Sequence, residues 1–121
     1  MKYTFLGEND SIVYIESEDI LISDSQSALD LMMSVKYEKD CSRIVLNKEA
    51  ISEEFFRLSS GFAGEVMQKF VNYHTKLAIV GDFSKYTSKP LHDFIYECYK
   101  GNNIFFVSNL DLAVEKLLSA N

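Results

Sequence analysis

Short apolar runs rich in β-branched and aromatic residues alternate along this chain with longer stretches whose apolar positions recur every three or four residues. Residues 3–6 and 12–15 are two such runs, and the turn-formers Gly7, Glu8, Asn9 and Asp10 between them predict a hairpin. After Ile20, Leu21 and Ile22, the stretch Ser23, Asp24, Ser25 offers helix caps. Ala28, Leu31, Met32 and Val35 then follow at helical spacing, so a first helix is expected to end near Tyr37. Residues 43–46 read as a strand buried on both faces, and Ser52 with Glu53 and Glu54 begins a helical turn just before Phe55 and Phe56.

A central helix is expected from about residue 61 to residue 73. Ala63, Val66, Met67 and Phe70 lie along one side, with Glu65, Gln68, Lys69 and Asn72 on the other. Residues 77–80 give the next buried strand, which stops at Gly81-Asp82, and a polar loop over 83–89 leads to Pro90, well placed to start a helix. Leu91, Phe94, Ile95, Cys98 and Tyr99 continue that helix at i, i+3, i+4, i+7 and i+8, and Gly101 stands where a C-terminal cap is expected. Residues 104–107 form the last strand, and Asn109 can cap a final helix carrying Ala113, Val114, Leu117 and Leu118.

Strands that alternate with helices need right-handed crossovers onto a parallel sheet. The expectation is one α/β domain over residues 1–121: a mostly parallel sheet of four to five strands, an antiparallel N-terminal edge hairpin and about four helices. Composition agrees with a globular chain, at 47% hydrophobic and 25% charged residues with one Pro and five Gly. A net charge of −6 without any run of Lys and Arg argues against a nucleic-acid footprint and disfavours an acidic membrane surface. No apolar run approaches the roughly 20 residues that cross a bilayer. Residues 1–10 do not read as a signal peptide, and Cys41 and Cys98 lack the Cys-x-x-Cys spacing, so both are expected to be reduced thiols of a cytoplasmic protein.

Candidate chemistry concentrates in two places. Ser59, Ser60 and Gly61 open the central helix, where outward N–H groups and the helix dipole suit a phosphate or a partner's anion; the plainer role for either serine is a helix cap. The loop 81–88 brings together Asp82, Ser84, Lys85, Tyr86 and Ser88 at the carboxyl end of a central strand, where ligands bind in open α/β sheets. Lys85 and Ser88 with the following helix would take an anion, while the plainer reading has Asp82 or Ser84 bonding its own backbone. His74 and His92 fall in no metal-ligand pattern, and no Gly-x-Ser-x-Gly elbow supports a hydrolytic triad, so neither metal nor cofactor is expected. His92, Tyr96 and Tyr99 form a stripe beside the apolar face of the third helix, suited either to an interface with another protein or a second copy, or to sealing the sheet edge. Cys98 lies on the apolar stripe and reads as an inert thiol.

The element order, with Ser59-Ser60-Gly61-Phe62 heading the central helix, resembles the domain shared by sulphate transporters and anti-sigma-factor antagonists, the STAS fold, where antagonists carry Asp-Ser-Ser-Gly-Leu. Leu58 stands at the Asp position of that motif, and the segment from Arg43 to the serines is a few residues longer. Residues 64–65, 69–73, 76–84, 86–89 and 93–97 more closely resemble a bacterial domain-of-unknown-function family, numbered 4180. The antagonist resemblance implies a non-catalytic regulatory or protein-interaction domain in which the second serine, here Ser60, is phosphorylated to release a partner protein. The alternative is a small-molecule or anion binder, or an enzyme, using the groove between the Ser59-Ser60 turn and the loop from Asp82 to Ser88.

Overall fold

The five apolar runs become five strands: β1 (Lys2–Leu6), β2 (Ile12–Glu16), β3 (Arg43–Asn47), β4 (Lys76–Val80) and β5 (Ile104–Val107). Four helices connect or follow them: α1 (Ser25–Lys39), α2 (Phe62–Asn72), α3 (Lys89–Lys100) and α4 (Leu110–Ser119). The computed structural model describes residues 2–120, with Tyr99 described by its backbone alone. The sheet is ordered β1-β2-β3-β4-β5; β1 pairs antiparallel with β2 and every other neighbour pair is parallel.

Alternation along each strand sorts the core into two layers. Val13, Ile15, Ile44, Leu46, Leu77, Ile79, Ile104 and Phe106 face a front layer built by Ala28, Met32 and Val35 of α1, Ala63, Val66 and Phe70 of α2, and Leu91 and Cys98 of α3. Ile12, Val45, Ala78, Phe105 and Val107 face the back, where Ala113 and Leu117 of α4 cover them. A sheet whose strands run in sequential order through right-handed crossovers must place the connecting helices on one face, which leaves only the terminal helix free to cover the other.

Local chemistry explains where the helices stop and start. Asp24 accepts from Ser27 N–H at 2.7 Å and Ser27 Oγ accepts from Asp24 N–H at 3.0 Å, a reciprocal capping box at the head of α1. That helix runs two residues past the expected end at Tyr37, because the chain turns only at Asp40, which adopts the left-handed conformation (φ 50°, ψ 47°) and donates its N–H to Lys36 O. Gly101 does end α3, but with an extended backbone (φ −86°) rather than a left-handed one. At the far end of α4, the Arg43 guanidinium donates to the carbonyls of Leu117 at 2.9 Å and Ala120 at 3.4 Å, tying β3 to the helix terminus.

Candidate functional site

Irregular segments leave the carboxyl ends of β3 (48–61) and β4 (81–88), and these two loops meet where Tyr86 bonds Glu53. After β3 the chain makes three short 3₁₀ turns, Lys48–Ala50, Glu53–Phe56 and Leu58–Ser60, before α2 begins. Ile51 forms a parallel bridge with Ile22, which accounts for the apolar residues 20–22 without a further strand. Ser52 Oγ accepts from Glu54 N–H at 3.3 Å, starting the second turn as its sequence suggests. Phe55 and Phe56 anchor the segment: Phe55 is fully buried, edge-on to Phe56 at 5.2 Å and to Phe62 at 6.0 Å.

The two serines have different environments. Ser60 Oγ lies 2.8 Å from the Arg57 carbonyl and 3.2 Å from the Glu54 carbonyl as a donor, and accepts from Phe62 N–H at 3.2 Å. It therefore braces the turn and satisfies one of the exposed N–H groups at the head of α2. Ser59 is exposed, and its hydroxyl has no hydrogen-bond partner among the described residues. Gly61 takes φ 79°, the left-handed conformation that passes the chain from the turn into α2; a Cβ there would meet nothing within 4 Å, so the requirement is on the backbone and not on space.

Beneath these turns lies a charge cluster that the sequence reading did not reach. Lys48 is 9% exposed, with its ammonium 3.0 Å from Glu53 Oε1, 5.3 Å from the centre of the Phe56 ring and 5.2 Å from that of Tyr86. Tyr86 donates its hydroxyl to Glu53 Oε2 at 2.8 Å and stacks on Phe56 with centroids 5.0 Å apart. Lys85 adds a longer ion pair to Glu53 at 3.8 Å. Burial pushes the Lys48 pKa down, yet its bonds to Tyr86 and Glu53 outweigh that cost and hold the ammonium above the ordinary lysine range. Burial raises the Glu53 carboxyl, and the Tyr86 hydroxyl with Lys48 more than reverses the effect, leaving it below the usual carboxylate range. Gly81 makes room for the lysine stem: a Cβ at that position would stand 2.7 Å from Lys48 Cβ.

A groove of about 420 Å³ opens beside this cluster, between the turn 57–60 and the head of α3. Phe56, Leu58 and Pro90 form its apolar surface, with Glu53, Arg57, Ser59, Tyr86 and Ser88 as its polar lining. The structure thus brings Ser59, Tyr86 and Ser88 together as expected, but Asp82, Ser84 and Lys85 do not line the groove. Asp82 Oδ1 accepts from Ser84 N–H at 3.0 Å, the local turn that such a loop favours, and hydrogen bonding from the Ser84 hydroxyl and then its N–H holds the carboxyl below the usual range. Ser88 Oγ caps α3 through Leu91 N–H at 3.3 Å, and His92 Nε2 meets the Tyr86 carbonyl oxygen. Tyr96 is 61% exposed, with the Lys100 ammonium 4.6 Å from its ring centre; the Tyr99 side chain, expected in the same stripe, lies outside the described residues. Cys98 is buried, and that burial pushes its thiol up to about 12, far from a nucleophile's range.

Among the described residues no three His, Cys, Asp or Glu side chains are grouped to hold a metal ion, and no helix is long and apolar enough to cross a membrane. Fold and groove together define an α/β domain with a sequentially ordered sheet and a crevice of mixed apolar and polar lining at its carboxyl edge. Residues 7–117 match the family model described as Domain of unknown function (DUF4180), and the chain belongs to that family. No curated protein and no solved structure matches it.

Proposed function

We propose that this chain is a non-catalytic regulatory domain that binds a segment of another protein in the groove between the turn 57–60 and the head of α3, under the control of phosphorylation at Ser60. The observation that carries this reading is how the polar groups of the edge are used. Lys48 and Tyr86 are held on Glu53, His92 on a backbone carbonyl and Ser88 on the helix it caps. The groove wall is therefore fixed, and its apolar and aromatic surface suits a side chain of a bound peptide better than a reacting substrate that needs a free acid or base. Ser59, exposed and without a hydrogen-bond partner among the described residues, remains at the lip for polar contact, beside an Arg57 that is 71% exposed and paired with Glu54 at 3.3 Å. An anion held by Lys85 and Ser88 has less support, because Lys85 faces Glu53 and Ser88 is spent on α3.

The strand, Ser-Ser-Gly turn and helix at this edge support the likeness to the STAS antagonists, with a cytoplasmic, bacterial setting for the partner. Phosphorylation acts here through chemistry specific to Ser60. Esterifying Oγ removes the proton given to the Arg57 carbonyl and brings a dianion against two carbonyl oxygens, so the turn has to reopen. The same group on Ser59 would add charge to the lip and leave the turn intact. Mass-spectrometric mapping of the peptide spanning both serines, from protein isolated from its native cells in growth and in stress, tests the control. Phosphate on Ser60 in one of the two states is expected; an unmodified peptide in both removes phosphorylation from the reading.

A further inference from the structure

Between β4 and β5 the chain changes layers. Residues 81–88 lead from β4 to α3 on the front face, whereas Ser108 and Asn109 lead from β5 to α4 on the back. Open α/β sheets bind ligands in the crevice outside the strand carboxyl ends at such a switch point, because loops that part to opposite faces leave space between them. A cavity of about 420 Å³ occupies this place, distinct from the groove on the other side of the 81–88 loop. Its volume falls in the range of roughly 300–1,000 Å³ typical of small-molecule sites.

The lining indicates a chemical class. Phe106 is 2% exposed and meets Phe83 edge-on with centroids 5.4 Å apart, giving an aromatic floor, while Ile95 of α3 and Leu112 of α4 contribute apolar walls from opposite layers. The polar lining is Asp82 and Ser108, one from each diverging loop. Asp82 Oδ1 accepts from Ser84 N–H at 3.0 Å while its carboxylate stays exposed to solvent, and the Ser108 hydroxyl has no hydrogen-bond partner among the described residues. Bonding to Ser84 keeps the Asp82 carboxyl ionised at neutral pH. No Lys or Arg lines the cavity; Lys85, paired with Glu53 at 3.8 Å, acts on Asp82 only as a minor electrostatic influence from outside it. Such a rim repels anions and offers two acceptors to a donor-rich cation.

We propose that this crevice binds a small aromatic amine, its ring against Phe83 and Phe106 and its ammonium group donating to the exposed Asp82 carboxylate and Ser108 Oγ. The ligand enters between two layers and needs neither Ser59 nor Tyr86.

Titration of the ¹⁵N-labelled chain with phenethylamine tests this, read as amide shifts. Saturable shifts are expected at Gly81, Asp82, Ser108 and Leu112, with none from phenylacetate, which has the same ring and the opposite charge. Asp82→Asn can keep one oxygen on Ser84 N–H while it removes the charge and turns the other acceptor into an NH2 donor, so the dissociation constant should rise about tenfold or more. The spectrum of this variant also reports directly whether the fold is kept. Absence of a saturable shift, equal shifts from phenylacetate, undiminished binding by Asp82→Asn, or shifts confined to Ser59 and Tyr86 would each overturn the proposal.

Discussion

Replacing Gly81 by Ala probes the packing under the site with a single methyl group. The new Cβ would stand 2.7 Å from Lys48 Cβ, 3.1 Å from Cδ and 3.4 Å from Cγ, against an optimal carbon–carbon separation of about 3.5–4.0 Å. The end of the lysine stem can swing away, but its Cβ is fixed by the backbone where β3 passes into the turn Lys48–Ala50, and the ammonium is held by Glu53 between two aromatic rings. Strands β3 and β4 are adjacent and parallel through Asn47 and Val80, so the backbones cannot separate without breaking that ladder. Overpacking of this kind costs about 1–3 kcal/mol. For a domain of this size that corresponds to a fall in Tm of roughly 4–12 °C, measurable by calorimetry. The shortest contact is to Cβ, which Lys48→Ala retains. Most of the Gly81→Ala loss should therefore persist in the Lys48→Ala background. A melting temperature within about 2 °C of the parent, or complete relief by Lys48→Ala, would refute this reasoning.

The ion pair should respond asymmetrically in urea titrations: Glu53→Ala strands a lysine that is 9% exposed and costs about 1–3 kcal/mol, whereas Lys48→Met fills the same slot and stays within about 1 kcal/mol of the parent. An equal loss from both would contradict the buried-lysine picture. Asp24→Ala removes the acceptor of the α1 capping box and should cost about 1 kcal/mol, most of it recovered by Asp24→Ser in the same assay. With DTNB at pH 8 the native chain should show no reactive thiol, since Cys41 and Cys98 are both buried and the Cys98 thiol is held near 12; both should react in guanidinium. Asp24, Glu49, Glu53 and Asp82 all have carboxyls lower in the folded state than in free residues, so their contribution is present above the unfolded values and lost as pH falls through the folded ones. Lys48, raised in the folded state, contributes fully below the ordinary lysine pKa and loses its contribution only as pH rises through the folded value. Melting temperature should accordingly stay level from about pH 6 to 9 and fall below about pH 4; an acid limb that begins above pH 6 would require another group.

The architecture was legible because each element carries its own local signal. Val, Ile and Leu runs bounded by Gly, Asp and Asn mark the strands, and Asp24, Ser88 and Asn109 cap the helices that the apolar spacing outlines. The same local logic reached the Asp82 turn onto Ser84. Sequence spacing could not rank Ser59 against Ser60, since which hydroxyl braces the turn depends on carbonyls at Glu54 and Arg57 set by the 3₁₀ geometry. Lys48 escaped notice for a different reason. A lysine directly after a strand normally reads as solvated, and its burial depends on Glu53, Phe56 and Tyr86, the last of them in another loop. The one sequence cue was Gly81 opposite it at the end of β4, and that cue acquires meaning only once β3 and β4 are known to be neighbours. The aromatic wall joining Phe56, Phe83 and Tyr86 was hidden likewise, each ring reading in sequence as ordinary core or loop.

Site-specific photocrosslinking in the native cells tests the recognition face most directly. A photoreactive residue is placed at exposed Ser59 on the lip of the groove and, as a control, at exposed Glu115 on α4 of the opposite face. A discrete protein adduct from position 59, absent from position 115 and lost when Ser60→Asp is added, is the predicted result. No adduct at position 59, or the same adduct from both positions, would contradict a binding face at this edge of the sheet.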